Sequence, residues 1–326
     1  MRRTLLALAV TISVVLVAAA VAYADNGGIA PPGAKSPNAQ RIRDAYWVIL
    51  VFTGFIFVVV EGALILFIVK YRRGRRTRTA EGPQIHGSTK LEIGWTVAPV
   101  VILAIIGTIV FYKLPGIRHA PEASAADQLT VQVQGRQFYW MYTYPNGAKA
   151  IDRLVAPAGR VVNLEIVAPD WDVNHSWWIP QLGGKMDAIP GKLNTTWFRV
   201  KLPGFFRGRC AELCGIQHAH MTMGVDVRPA EDFDRWVEKR KAEEAGAELG
   251  REEFEGVCLK CHRLSGPTLI GPDLGGNPTL TDRAGLETLL RNGTGMMPPV
   301  GKGWTDAQID ALVAYTKTLP GASNGG

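Results

Sequence analysis

Two short strings hold most of the chemistry this sequence can offer. The first runs Cys210-Ala211-Glu212-Leu213-Cys214-Gly215-Ile216-Gln217-His218-Ala219-His220-Met221, with Asp172-Val173-Asn174-His175 upstream of it. A mononuclear electron-transfer copper needs one thiolate, two imidazoles and a weak axial donor. Here a second thiolate changes the count. Cys210 and Cys214 can bridge two coppers, each completed by one of His175 and His218, with Met221 and the backbone carbonyl of Glu212 as weak axial donors. Two cysteines and two histidines are also a common zinc set, so zinc is the competing occupant, although zinc has no need of the thioether. The second string is Cys258-Leu259-Lys260-Cys261-His262. Thiols at this spacing can form thioethers with the two vinyl groups of one haem while the adjacent imidazole ligates its iron. Downstream, Met296-Met297-Pro298-Pro299 offers a thioether for the opposite axial position. A methionine pair often serves core packing, but a loop flanked by Gly295 and two prolines is a poor core element.

Four cysteines in an exported chain also invite two disulfides. The close spacing within each pair, with a histidine just beyond each, favours ligation instead. The haem string and its methionine loop resemble a class I cytochrome c, in which the methionine directly before proline ligates. That resemblance implies Met297, with Met296 as the alternative.

These strings must be carried by positioned elements, and the composition shows where. The 326 residues are 47% hydrophobic and only 20% charged, which excludes a disordered or fibrous chain. The net charge of +7 lies almost wholly at residues 70–90, where Lys70, Arg72, Arg73, Arg75, Arg76, Arg78 and Lys90 oppose Glu81 alone. A nucleic-acid partner is not expected, since such a binder spreads its charge over a folded face. The basic segment instead separates two apolar runs, 45–69 and 93–112, each long enough to cross a membrane. A short basic loop stays in the cytoplasm, so both flanking regions lie outside.

The resulting organisation is a membrane-anchored multidomain chain. Residues 1–24 read as a cleaved signal peptide, with Arg2 and Arg3, an apolar middle and an Ala22-Tyr23-Ala24 end; an uncleaved span would leave the topology unchanged. Residues 25–44 form an irregular periplasmic lead-in, and 45–113 a transmembrane helical hairpin with its cytoplasmic basic loop at 70–92. Alternating, Val- and aromatic-rich runs at 129–144, 160–168 and 196–202 predict a small antiparallel β-sandwich or barrel over 114–228. A charged helical linker follows at 229–249, anchored by Phe233, Trp236 and Val237. The last module, 250–326, is all-α, with Thr305 and Gln308 at capping-box spacing and Pro320 as a stop.

Taken together, the C-x-E-x-C-x-x-x-H-x-x-M string, Asp172-x-x-His175-Ser176-Trp177 and Lys185-Met186-Asp187-Ala188-Ile189-Pro190-Gly191 resemble subunit II of cytochrome c oxidase over about 41–228. With a cytochrome c module behind it, the chain resembles the subunit II of caa-type haem–copper oxidases. The resemblance implies a cupredoxin domain carrying the binuclear copper centre CuA, a covalently bound haem c, and placement in a bacterial plasma membrane with both domains on the outer side. It implies electrons from cytochrome c or a quinol–cytochrome c reductase complex, passed to subunit I, where oxygen is reduced to water and protons are pumped. Phe138, Tyr139 and Trp140 match the family's aromatic electron-uptake strand, with Phe138 where the family usually has Trp; sheet packing is the other reading of these rings. Glu92 matches a proton-uptake glutamate at the cytoplasmic edge, and otherwise reads as a solvated side chain. The Glu212 side chain matches a ligand of an interface magnesium ion. Glu61, inside a span, is costly unless it faces protein or water. Two other functions fit the same motifs: the electron-receiving subunit of a copper-containing nitric oxide reductase, and a membrane-anchored carrier without a catalytic partner.

Overall fold

The computed structural model describes residues 30–72, 84, 86–242 and 246–319. The expected signal peptide, most of the basic loop and Pro320 lie outside the described residues. By its internal contacts the chain divides into two units.

One unit is a helical hairpin. Helix α1 spans Pro37–Tyr71 and α2 spans Thr89–Arg118, and both are long and apolar enough to cross a membrane. Helix α1 begins before the apolar run at 45 because its first turns are polar, with Pro37 at the start, where a missing N–H costs nothing. Threonines inside the apolar stretches satisfy their hydroxyls locally. Thr96 donates to the Glu92 carbonyl and Thr108 to the Ala104 carbonyl, each at 2.8 Å. At the outer end, Arg41 Nη1 donates to the Gly116 carbonyl at 2.6 Å and Lys113 pairs with Asp44 at 3.2 Å. The long apolar side chains along both helices, Phe55, Phe57, Ile68 and Leu103 among them, are exposed, as lipid- or partner-facing positions require.

The other unit opens its β-domain with β1 (Gln128–Arg136), β2 (Tyr139–Thr143), β3 (Lys149–Ile151), β4 (Arg153–Pro157) and β5 (Val161–Val167). It continues with β6 (His175–Trp177), β7 (Met186–Ala188), β8 (Asn194–Phe198), β9 (Gly204–Arg209) and β10 (Thr222–Arg228). A five-stranded sheet, ordered β3-β2-β1-β5-β8, faces a three-stranded sheet, β4-β10-β9. The sandwich is mixed rather than wholly antiparallel: β1 pairs β5 in parallel, and so does β10 with β4. Long crossovers between the sheets, rather than hairpins, join those pairs. Val131, Val133, Trp140, Tyr142, Leu164 and Val225 are among the residues filling the core between the sheets.

The run 129–144 is two strands rather than one, turned at Gln137-Phe138. Strand β2 is buried on both faces, and its side chains alternate between two cores. Trp140 and Tyr142 enter the sandwich, while Tyr139 and Met141 join Ile151 in a second core with Phe254, Leu286, Trp304 and Leu312. That second core belongs to helices α4 (Ala247–Gly256), α5 (Arg283–Asn292) and α6 (Asp306–Thr316). The expected capping box is present at the start of α6: the Gln308 N–H donates to Thr305 Oγ1 and the Thr305 N–H to Gln308 Oε1. Between the modules, α3 (Ala230–Ala242) is less solvated than its charge suggests. Phe233 enters the sandwich core and Trp236 packs edge-on against Tyr144 with ring centroids 5.1 Å apart. Arg240 is buried too, donating to the Lys149 carbonyl and pairing with Glu252.

Candidate metal and haem centres

The end of β9, the start of β6 and the β9–β10 loop bring the first string together. Cys210 follows β9 directly, and its N–H donates to the Met221 carbonyl, which closes the loop on itself at 2.9 Å. Ala211 donates to the Ser176 carbonyl, tying the loop to the strand that carries His175. The two thiols stand 4.0 Å apart, far beyond a disulfide. Cys214 Sγ lies 3.6 Å from His218 Nδ1 and 3.7 Å from Met221 Sδ. Cys210 Sγ lies 3.3 Å from the Glu212 carbonyl oxygen. The donor atoms of His175, Cys210 and Cys214 all fall within 4.8 Å of one another. His220 is exposed and stays outside the cluster.

The ring of His175 shows how this donor set suits a metal. Its Nε2 donates to Asp172 Oδ1 at 3.1 Å, while its buried Nδ1 has no hydrogen-bond partner. A carboxylate on one ring nitrogen fixes the tautomer and leaves the other lone pair for a metal. Gly135 allows the ring to sit there, because a Cβ at this position would come within 2.9 Å of the His175 Cβ. A hydrogen bond from Cys214 holds the Cys210 thiol far below its usual pKa, and the resulting thiolate pushes Cys214 up. The two thiols thus differ in acidity, and a cation beside them would favour deprotonation of both. Two thiols at contact distance, two imidazoles, a thioether and a carbonyl together suit a soft bridged pair of coppers.

The second string closes α4. Residues Cys258–Lys260 form a short 3-10 turn, and the His262 N–H donates to the Cys258 carbonyl at 3.0 Å. His262 Nδ1 donates to the Pro272 carbonyl at 2.7 Å, leaving Nε2 free for iron. Gly271 makes that orientation possible, since its Cβ would fall 2.2 Å from the ring. An apolar cavity of about 340 Å³ is lined by Cys258, Cys261, His262, Leu286 and Met297. Met297 packs against the module core, whereas Met296 is 76% exposed. These residues fit a thioether-bound haem with an imidazole on one side and a thioether on the other.

The copper loop and the haem cavity share a wall. Gln137, Phe138 and Ile216 line the cavity, and Gln137 Nε2 donates to the Cys214 carbonyl at 2.8 Å. Gln217 Nε2 donates to the Lys260 carbonyl. Of the predicted aromatic trio, Phe138 lies at the haem cavity, Tyr139 in the core of the haem module, and Trp140 edge-on to His175 at 6.0 Å. Gln137, Gln217, Lys260 and Asp152 escaped the sequence reading because each meets a partner far along the chain. Glu212 extends its carboxylate to Lys185 at 3.3 Å and is half-exposed. Glu92 sits exposed in the first turn of α2, far in sequence from both clusters.

Comparison with known proteins settles the family. The model of the transmembrane domain of cytochrome c oxidase subunit II matches residues 24–112, and that of its periplasmic domain matches 148–228. Cytochrome c oxidase subunit 2 of Alkalihalophilus pseudofirmus is 33% identical over 313 residues, covering 87% of this chain and 89% of that protein. The chain belongs to the cytochrome c oxidase subunit II family. A probable subunit 2 from Rickettsia bellii is 34% identical, over 68% of this chain and 86% of its own length. The crystal structure of the periplasmic domain of subunit II (CoxB) from Bradyrhizobium japonicum is 33% identical, with a TM-score of 0.35 over 38% of this chain and 98% of that one. Residues 245–315 match the model of cytochrome c oxidase, cbb3-type, subunit III. This subunit II chain is thus membrane-anchored, with an outer-side cupredoxin-like domain and a C-terminal cytochrome c domain.

Proposed function

We propose that this chain is the electron-receiving subunit of a bacterial caa-type haem–copper oxidase, set in the plasma membrane with both of its redox domains outside. Electrons come from cytochrome c or a quinol–cytochrome c reductase complex and leave for subunit I, where oxygen is reduced to water and protons are pumped. When bound, haem c and the binuclear copper each accept and release one electron at a time. Cys258, Cys261, His262 and Met297 hold the haem. His175, Cys210, Cys214, His218, Met221 and the Glu212 carbonyl hold the coppers. Asp172 keeps His175 in the ligating tautomer, and the Pro272 carbonyl does the same for His262. The domains divide at about 114, 229 and 250.

The observation that carries this reading is the shared wall, where Gln137, Phe138 and Ile216 stand between the haem cavity and the copper loop. Phe138, Tyr139 and Trp140 would then carry electrons from a haem held in that cavity rather than from a free donor, because Tyr139 and Trp140 are fully buried. Glu92 takes up protons at the cytoplasmic edge, and the Glu212 carboxylate serves a magnesium ion facing subunit I.

Metal analysis and gas consumption of the isolated native complex test the proposal. The expected result is two coppers and one haem c per chain, with oxygen consumed. Stoichiometric zinc or a single copper would overturn the copper assignment. Consumption of nitric oxide without oxygen would move the chain to a nitric oxide reductase, and consumption of neither would leave a membrane-anchored carrier.

A further inference from the structure

The loop that carries Met297 is held by the copper domain as well as by its own module. Tyr139 is fully buried, and its hydroxyl donates to the Val300 carbonyl at 2.6 Å. The same oxygen accepts from Trp304 Nε1 at 2.8 Å and lies 3.4 Å from Arg136 Nη1. Arg136, 4% exposed, also donates from Nη1 to the Lys302 carbonyl at 2.8 Å. Its Nη2 and Nε hold Gln134 Oε1 at 2.7 and 3.2 Å, which fixes the guanidinium. The Trp171 ring, just before Asp172, lies 5.6 Å from the Arg136 guanidinium and 5.1 Å from the Lys302 ammonium. Two residues at the β1–β2 turn therefore grip three points of the segment between Met297 and α6.

This grip acts on a loop that resists ordering. Gly293, Gly295, Gly301 and Gly303 surround Met297, and glycine-rich backbone loses the most freedom when it is fixed. A phenol hydroxyl with its donor and acceptor positions used is satisfied even in a dry core. Burial raises the Tyr139 pKa to about 12, so the proton that Val300 accepts stays in place at physiological pH.

Resting on the haem reading above, we propose that Tyr139 and Arg136 are positioning residues for the axial methionine: they fix residues 297–304 so that the Met297 thioether stays opposite His262. Neither residue lines the haem cavity. The haem's ligation then depends on the copper domain, and by linkage the docking of the two modules depends on an intact methionine ligand.

The test uses the full chain loaded with copper and haem, and imidazole as a competitor for the methionine's place. One hydrogen bond lost from a closed loop favours its open form by about tenfold. Tyr139→Phe should therefore bind imidazole about tenfold more tightly, weaken the long-wavelength sulfur-to-iron band and lower the haem potential. Arg136→Gln should act in the same direction, and Arg136→Lys, which keeps a donor for Lys302, should recover part of the effect. Tyr144→Phe is the control: it deletes another buried hydroxyl nearby, one that bonds only Val155, and should change nothing at the haem. Wild-type imidazole affinity and band in both Tyr139→Phe and Arg136→Gln would overturn the proposal. So would a copper spectrum that changes together with the band, because the strand itself would then be disturbed. A wild type without the band, or a Met297→Ala variant that keeps it, would instead overturn the ligand assignment.

Discussion

The side-chain amide of Gln217 donates to the backbone carbonyl of Lys260. Gln217 directly precedes His218 of the copper cluster, and Lys260 directly precedes Cys261 of the haem string. One hydrogen bond and a few covalent bonds thus join the two centres. The other end of Lys260 reinforces the link: its Nζ donates to the Phe138 carbonyl at 2.7 Å and pairs with Asp152. Lys260 and Asp152 keep only 11% and 20% of their side-chain surface exposed. With Tyr139, Met141 and Ile151 inside the haem module's core, that module is seated on the copper domain. A swinging tether is not needed.

Seating of this kind predicts how haem-to-copper electron transfer responds to conditions. In the wild type the flash-initiated rate should be independent of protein concentration and nearly insensitive to salt, since buried charges are poorly screened. Lys260→Met removes one partner of a mostly buried pair. It leaves Asp152 uncompensated at a cost of about 3–5 kcal/mol, with burial already raising that carboxyl's pKa despite Lys260. Transfer in this variant should slow several-fold with both optical spectra retained. A wild-type rate falling in proportion to dilution would show transfer between molecules.

The copper cluster makes a separate prediction through Asp172. Asp172→Asn keeps the size of the side chain but weakens its hold on the His175 Nε2–H. Loss of such an outer partner typically lowers metal affinity by about 10–100-fold. Competition with a copper chelator should show that loss, while the haem spectrum stays unchanged. Unaltered copper retention would mean that the imidazole is oriented by packing alone.

At the haem, the two adjacent methionines should behave differently. Met297→Ala should abolish the sulfur-to-iron band and lower the potential, because methionine ligation raises it. Met296→Ala, at a side chain facing solvent, should do neither. Swapped effects in the visible spectrum and in redox titration would transfer the ligand role to Met296.

The contrast between these sites explains what the sequence made legible. The residues of the two candidate centres sit mostly in local strings, so the clusters built around Cys210 to Met221 and Cys258 to His262 were readable without coordinates. The two spans were readable because their apolar runs are long. The seat between the modules was not, because Arg136 meets Lys302 and Gln217 meets Lys260 across long stretches of chain. Strand β2 shows why pattern failed there. Its residues alternate between two different apolar cores, so no polar face marks the boundary. Arg240 likewise lies in the charged linker helix, where nothing in the local pattern separates it from its neighbours, yet it is buried beside Glu252.

Glu253 gives a prediction about pH that no motif would suggest. It sits on α4 with Oε1 accepting from Gln308 Nε2 at 3.0 Å and with Oε2 buried without a partner. Burial pushes its carboxyl well above the usual range, and the nearby Glu252 adds to that shift. Gln308, Arg240 and Lys149 oppose it without cancelling it. A carboxyl with a raised folded-state pKa binds its proton more tightly in the native chain than in the unfolded one. Its contribution to stability is therefore present at low pH, below the unfolded pKa, and is lost as pH rises through the folded value. Glu253→Gln, neutral at every pH and nearly the same shape, should be close to neutral in acid. It should become stabilising by about 1–2 kcal/mol in alkaline solution, where the wild type must hold a buried charge. Thermal unfolding of both proteins across a pH series checks this. Curves that stay parallel at all pH values would mean that Glu253 does not carry a raised pKa in the folded chain.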